Sequence, residues 1–449
     1  MLIYEGKNVL APMVRIGTLP MRLLALDYGA DIVYCEELID WKLLRSVRKE
    51  NVVLGTIDYI DKTDGTVVFR TTSREKDKVV FQLGTCSAER AVKVAQMLEK
   101  DVAAIDVNMG CPKKFSVDGG MGAALLSKPE KAFEILSSLV KAVNVPVTCK
   151  IRVLPSLDET VELCKILESS GIMAIAVHGR TKEERQQHAN RNDVIQAVAK
   201  NLKIPVIANG GSKEIESYED IAKFRENTGC SCIMLARAAE WNCSIFRAEG
   251  KLPLDEVIKS YLKYAVDFDN APANTKYCIQ NMLRELQETP RGKKFLEAQT
   301  LEQMCSLWDM GEYCRQKQQE YRKLGLLTRR DVVPGSLEPI LKRRKVEEEN
   351  GEVFELQCAF FRSVYLSDVD LPKTRLLVHA KRNGLGQPQY QTQQEDKLFK
   401  SVVTVNKKKY SSSCWEKNKR WAEQGAALVC LCALGIVSRE DLIKNGSLC

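Results

Sequence analysis

A chain of 449 residues with 45% hydrophobic and 28% charged residues is too long for one ordinary core and too apolar to be disordered, so two or three globular domains are expected. The formal charge of +8 is concentrated late, because residues 351–449 hold 15 Lys/Arg against 10 Asp/Glu; this points to a polyanionic partner, and no run nears the roughly 18 apolar residues of a membrane span. Sixteen cysteines stand beside only three histidines and no paired C-x-x-C, a spacing that predicts reduced thiols and no metal centre, while Glu5, Lys7 and Asn8 interrupt any leader-like run and predict a cytoplasmic address.

From residue 9 onward, short runs rich in Val, Ile and Ala alternate with segments of helical period. The candidate strands are VLAPM (9–13), IVYCEEL (32–38), VVFQLG (79–84), AAIDVNMG (103–110), PVTCKIR (146–152), MAIAVHGR (173–180), PVIANGG (205–211) and CIMLARAA (232–239). Helices such as AERAVKVAQMLEK (88–100), PEKAFEILSSLVKAV (129–143) and DETVELCKILESSG (158–171) lie between them, the last ending in the glycine expected just past a helix terminus. Eight βα units in about 240 residues predict an α/β fold, a TIM (β/α)8 barrel over residues 1–250.

Residues 251–325 then read as helices, in which Lys276, Arg284, Arg291, Lys293 and Lys294 are candidate phosphate contacts, although exposed helix charges are usually only solvated. Residues 326–350 mix Pro, Gly and opposite charge runs, the composition of a linker. Residues 351–437 order as a helix (372–383), GLGQPQY, strand-like QYQTQ and LFKSVVTVN, KKKYSSS and a long helix from about Cys414 to Leu434, followed by a tail over 438–449.

A barrel gathers the C-terminal ends of its strands into one site. Here those ends offer Pro12 and Met13, Gln82, Asn108 with Cys111 just after it, Lys150 and Arg152, His178 with Arg180, Asn209, Gly210 and Gly211, and Ala236 with Arg237. Singly, each reads as a satisfied structural residue; jointly they make a site. Gly210, Gly211 and Arg237 stand where barrels commonly bind phosphate, though glycines serve a tight turn equally well. With a Gln and a Lys able to hydrogen-bond a polar ring edge and an apolar Pro-Met step, the set suggests a flat phosphorylated cofactor such as FMN.

The segments LAPMV (10–14), VNMGCP (107–112), CKIR (149–152), VHGR (177–180), IANGG (207–211) and LARAA (235–239), in this order, resemble the tRNA-dihydrouridine synthase family over roughly residues 9–250. The resemblance implies an FMN barrel that takes hydride from NADPH and reduces a uridine of tRNA to dihydrouridine. It implies flavin contacts at Pro12, Met13, Gln82, Lys150, His178, Asn209, Gly210, Gly211, Ala236 and Arg237, a catalytic acid at Cys111, and contacts to the substrate from Asn108 and Arg180.

The chemistry of uracil agrees with this assignment. Its C5=C6 bond is conjugated to the C4 carbonyl, so hydride delivered to C6 leaves enolate character at C5, which a thiol protonates; a cysteine with an ordinary pKa of about 8.5 carries that proton at neutral pH. An inert buried thiol is the common fate of a free cysteine, but Gly110 and Pro112 hold Cys111 on a tight loop at a strand end. Cys35, Cys86 and Cys149 lie near other strand ends and are weaker candidates for the same role. Where many members continue the motif as C-P-x-x-K, this chain has Phe115, preceded by Lys113 and Lys114.

The α-β-β-β-α order at the C-terminal end, with AEQGAALVCLCALG in its last helix, resembles a double-stranded RNA-binding domain (dsRBD). That implies phosphate contacts from Lys417, Lys419 and Arg420 at the start of the last helix and from Lys373 on the first. A barrel of this family joined to such a module resembles its animal members directed at uridine 20 of the D-loop, where the base must be flipped out to expose its reactive carbons. Two other readings predict different behaviour. A flavin barrel reducing small pyrimidines or enones gives no reason for the last module, and a non-catalytic RNA-binding relic predicts tolerance of Cys111→Ser.

Overall fold

Each of the eight predicted runs forms a parallel strand: β1 (Asn8–Leu10), β2 (Ile32–Tyr34), β3 (Val79–Gly84), β4 (Ala104–Met109), β5 (Val147–Arg152), β6 (Ala174–His178), β7 (Val206–Asn209) and β8 (Cys232–Leu235). They pair in chain order, and β8 returns to β1 through Leu10↔Leu235, so the sheet closes into a barrel. The first strand stops short of its predicted end because Pro12 has no N–H to offer the ladder. The computed structural model describes residues 3–63, 65–326, 353–361, 364–365, 367–395, 398–416, 418–445 and 447–448, so the expected linker beyond residue 326 and Lys417 lie outside it.

Alternation along a barrel strand sends every second side chain inward. On β4 to β6 the inward rows begin with Ala104, Thr148 and Ala174 and end with Asn108, Arg152 and His178. The alanines at the floor leave room for Tyr4 and Tyr34, which are fully buried among Ala104, Ala174, Ala176 and Ile207. The outward rows, including Ile105, Val107, Ile151, Ile175 and Val177, pack on the surrounding helices. Helix Ala88–Leu98 illustrates the fit: Ser87 accepts from the Arg90 N–H at its start, and Ala91, Val94, Ala95 and Leu98 form the buried stripe at i, i+3, i+4 and i+7.

Two features depart from the sequence reading. Between β2 and β3 the chain builds a three-stranded antiparallel sheet from Ser46–Asn51, Thr56–Asp61 and Val67–Thr71, for which no strand is predicted. Its strands expose Arg48, Lys49 and Glu50 and bury Asp58 and Asp61, and these charges dilute the apolar alternation that signals a strand. Helices Leu254–Asp267, Pro272–Leu283, Pro290–Glu297, Leu301–Ser306 and Gly311–Lys323 follow β8, as expected. However, Tyr261, Met282, Phe295 and Trp308 belong to the same continuous core as the barrel strands, so the break expected near residue 250 is absent.

The C-terminal unit has its own core. Helices Pro372–Arg382 and Lys419–Ala433 cover a sheet of Gln389–Glu395, Leu398–Val405 and Lys408–Ser412, joined in parallel on Lys408–Ser412 by an unpredicted strand, Val353–Leu356. The last helix begins at Lys419, capped by Asn418, and not near Cys414. Residues 438–449, read as a tail, carry helix Arg439–Lys444 and bury Leu442 and Leu448 in this core.

Candidate active site

Register places the predicted polar residues on common levels of the barrel: Gln82 beside Asp106, Asn108 beside Lys150, Arg152 beside His178, and His178 beside Asn209. The inward side chains of β3, β4 and β5 are wired together. Thr148 Oγ1 donates to Asp106 Oδ1 at 2.7 Å, Gln82 Nε2 donates to Asp106 Oδ2 at 2.8 Å, and Asn108 Nδ2 donates to Gln82 Oε1 at 2.8 Å. Asn108 Oδ1 then accepts the backbone N–H groups of Gly110 at 3.1 Å and Cys111 at 2.9 Å. Gln82 takes one N–H of the Asn108 amide and the loop takes its oxygen, so this residue, expected at the substrate, also shapes the cysteine loop and keeps a second N–H. Asp106 anchors the chain: burial pushes its carboxyl up to about 6, against the hydrogen bonds from Gln82 and Thr148 and the charge of Lys150.

Cys111 is half-buried on that loop, its thiol pushed up to about 11 by burial and then by the neighbouring Glu37 carboxylate. The weaker thiol candidates have other settings. Cys35 and Cys149 are fully buried in the core, and Cys86 accepts from Arg90 Nη2 at 3.3 Å. Phe115, where many family members carry a lysine, is exposed on the short helix Lys114–Asp118 that follows.

The other wall of the mouth is cationic. Lys150 is brought down to about 8 by burial and by Arg152, and His178 is held neutral, well below its ordinary range, by burial and by Lys150, Arg152, Arg180 and Arg237. Arg180 Nη1 lies 3.2 Å from His178 Nε2 and donates to the Gly210 carbonyl at 2.7 Å. Arg152 donates to the carbonyls of Gly110 and Thr181, and Arg237 to the Gln186 side chain. Gly210 has φ +120°, and a Cβ there would fall 2.0 Å from Asn190 Oδ1, so only glycine fits this turn. Asn209 is fixed by its Nδ2, which donates to the Met234 carbonyl at 2.8 Å. His178, Asn209, Gly210, Gly211, Ala236 and Arg237 line one cleft, while Pro12 and Met13 follow β1 next to β8. A wall with this excess of positive charge, only partly offset by Glu184 and Glu214, a neutral histidine and close-packed backbone suits an anion of phosphate type.

Sequence reasoning missed Asp106, Glu37 and Ser116. Asp106 was visible as the lone carboxylate inside an apolar strand run, and Glu37 in the Glu36-Glu37 pair ending the second; Ser116 gave no signal. Elsewhere three of the five candidate phosphate contacts are engaged locally: Lys276 caps the carbonyls of Leu296 and Ala298, Arg291 pairs with Asp255, and Arg284 lies over Trp241, whereas Lys293 and Lys294 are exposed. In the C-terminal unit Lys419 and Arg420 are exposed at the first turn of the last helix, whereas Lys373 pairs with Glu423 and sits 4.5 Å over the Tyr390 ring. Among the described residues no group of three or more His, Cys, Asp or Glu is placed to hold a metal ion, and no helix is long and apolar enough to cross a membrane.

Fold and mouth together define a (β/α)8-barrel protein with a cationic cleft, a half-buried loop thiol and a separate α-β-β-β-α module. More narrowly, the chain belongs to the dihydrouridine synthase family, whose model matches residues 9–324, and it carries a double-stranded RNA binding motif over residues 372–434. It is 40% identical over 291 residues to the tRNA-dihydrouridine(20) synthase [NAD(P)+] of Schizosaccharomyces pombe, a match covering 63% of this chain and 60% of that protein. It is 37% identical over 302 residues to the enzyme of the same name from Saccharomyces cerevisiae, covering 63% of this chain and 78% of that one. A solved dsRBD of human tRNA dihydrouridine synthase (20) is 41% identical, covering 20% of this chain and 94% of that one, with a TM-score of 0.19.

Proposed function

We propose that this protein reduces a uridine of tRNA, uridine 20 of the D-loop, to 5,6-dihydrouridine, with FMN as its bound cofactor and NADPH as reductant, in the cytoplasm. The observation that carries the reading is the pairing, at one barrel mouth, of a thiol held in protonated form with a cationic wall suited to a phosphorylated cofactor. The names of the two yeast relatives support the substrate and the reductant.

The residues present fit FMN. The Gly210–Gly211 backbone with Arg180 and Arg237 would take the phosphate, and Lys150, with the Gln82 N–H that Asp106 leaves free, would meet polar edges of the ring. When bound, the flavin supplies the hydride. The protein's own work is then proton placement. Cys111 holds its proton at neutral pH because its thiolate is disfavoured by burial and by Glu37, and it releases that proton only to a strongly basic carbon such as C5 of the reduced uracil. Asn108 fixes where the thiol stands, and Lys419 and Arg420 give the RNA-binding module its grip on phosphates.

The test is to record the flavin spectrum of the purified protein, incubate it with NADPH and unmodified tRNA, and map dihydrouridine by nucleotide. Bound flavin and product at one D-loop uridine are expected, with Cys111→Ser losing about 10²- to 10⁴-fold in rate while still binding tRNA. NADPH oxidation without tRNA product would return the small-molecule reductase reading, and tRNA binding without flavin the relic.

A further inference from the structure

Glu37 lies just past β2 and is only 8% exposed. Its Oε1 accepts from Ser116 Oγ at 3.1 Å, while its Oε2 is buried and has no hydrogen-bond partner among the described residues. Among those residues the carboxylate has no ion-pair partner. An acid left in this state costs free energy that packing does not repay, so a stabilising role is a poor account of it.

Its surroundings are shaped around three groups. A Cβ on Gly84 would stand 3.0 Å from Glu37 Oε1, and one on Gly122 would stand 2.4 Å from Ser116 Oγ and 3.1 Å from Cys111 Cβ. Two glycines therefore clear the space in which Glu37, Ser116 and the Cys111 thiol meet. The groups bearing on Glu37 are Cys111, Ser116 and, more weakly, Lys113; burial raises its carboxyl and these three oppose the rise.

We propose that Glu37, with Ser116, is a positioning residue that returns protons to Cys111 between turnovers. The inference rests on the acid role given to Cys111 above. At neutral pH the pair shares one proton, held on sulfur. When Cys111 breaks its S–H bond and the proton joins C5, two negative charges, thiolate and carboxylate, are left facing each other. The Glu37 carboxylate then takes a proton from solvent, its new O–H bond breaks, and the S–H bond of Cys111 re-forms. One solvent proton is consumed per turnover, drawn from hydronium or buffer acid or leaving hydroxide when water donates it, and the direction is set by the thiolate being the stronger base.

The test is made on the full-length protein with two readouts. The first is the pH dependence of iodoacetamide alkylation at Cys111, followed on its own peptide by mass spectrometry and needing neither flavin nor tRNA. Glu37→Gln is expected to lower the midpoint by at least one pH unit, whereas Ser116→Ala, which removes a hydrogen bond favouring the thiolate, moves it upward; general loosening of the loop would shift both the same way. An unchanged midpoint in Glu37→Gln overturns the inference. The second readout compares the first turnover of pre-reduced enzyme with steady state: Glu37→Gln spares the first and slows the second at least tenfold. Equal loss in both phases overturns the relay. Glu37→Asp, which keeps the charge but shortens its reach, carries the same kinetic comparison if the glutamine variant does not fold. Wild type that makes no dihydrouridine sinks the proposed function while the alkylation shift still reads the grip of Glu37 on the thiol.

Discussion

Replacing Asn108 by leucine, close to it in volume, separates two roles for this residue. In the structure Asn108 accepts from the Gly110 and Cys111 N–H groups and donates to Gln82, whose own orientation is set because the ionised Asp106 carboxylate can only accept. Asn108→Leu removes one acceptor from each of two backbone N–H groups and strands Gln82 Oε1. Leaving a buried polar group unpaired costs about 1–3 kcal/mol, which at a single amide corresponds to roughly 5- to 150-fold faster local opening. Hydrogen exchange resolved at Gly110 and Cys111 measures this directly: protection should fall by that factor there and stay unchanged in β6 and β7. Turnover should fall alongside, since the thiol loses its fixed position. Unchanged exchange at Cys111 together with a raised KM for tRNA would refute the loop-shaping role and restore Asn108 as a direct contact to the substrate.

Three further outcomes follow from the same geometry. Asp106 is fully buried with a carboxyl pushed up to about 6 from 3.8, so the folded protein holds this proton more tightly than the unfolded chain; its contribution is present below about pH 4 and lost as pH rises through 6, on the order of 3 kcal/mol, and Asp106→Asn should flatten that part of the stability–pH curve in denaturant titrations. Arg22 and Glu75 form a buried two-pronged pair at 2.8 and 2.6 Å, so Arg22→Ala, which strands the carboxylate, should cost about 3–5 kcal/mol in the same assay, and a loss below 1 kcal/mol would contradict the burial. Replacing Lys419 and Arg420 by alanine should weaken tRNA binding and flatten the log-log salt dependence by about 2, without changing the flavin spectrum; an unchanged slope would move the phosphate contacts elsewhere.

The barrel was legible because its signal is repeated. Eight apolar runs spaced by helical segments recover every barrel strand, and period-two alternation places Lys150, Arg152 and His178 on one rim. What was not legible depends on contacts between residues distant in sequence. That Asn108 also ties Gln82 to the Gly110 and Cys111 N–H groups, and that Asn209 donates to the Met234 carbonyl, cannot be read from spacing. Lys373 reads as a free cation on a helix, but Glu423, fifty residues away, claims it. The sheet over 46–71 escaped because its charged residues mimic a loop, and the start of the last helix shifted because Asn418, not Cys414, carries the capping oxygen. The helices after β8 were predicted as a separate body since composition cannot report that Phe295 and Trp308 share a core with the strands.

That shared core sets how the chain can be divided and inherited. A cut after β8 would bare the core partners of Tyr261, Phe295 and Trp308, so the smallest self-sufficient barrel piece runs to about residue 325, and a lineage cannot shed those helices without redesigning the barrel's flank. The C-terminal unit closes its own core from Val353 to Leu448, with Leu442 and Leu448 as its last stitches. It is therefore a cassette, one that recombination can add to or remove from a barrel chain whole, provided the cut spares those final ten residues.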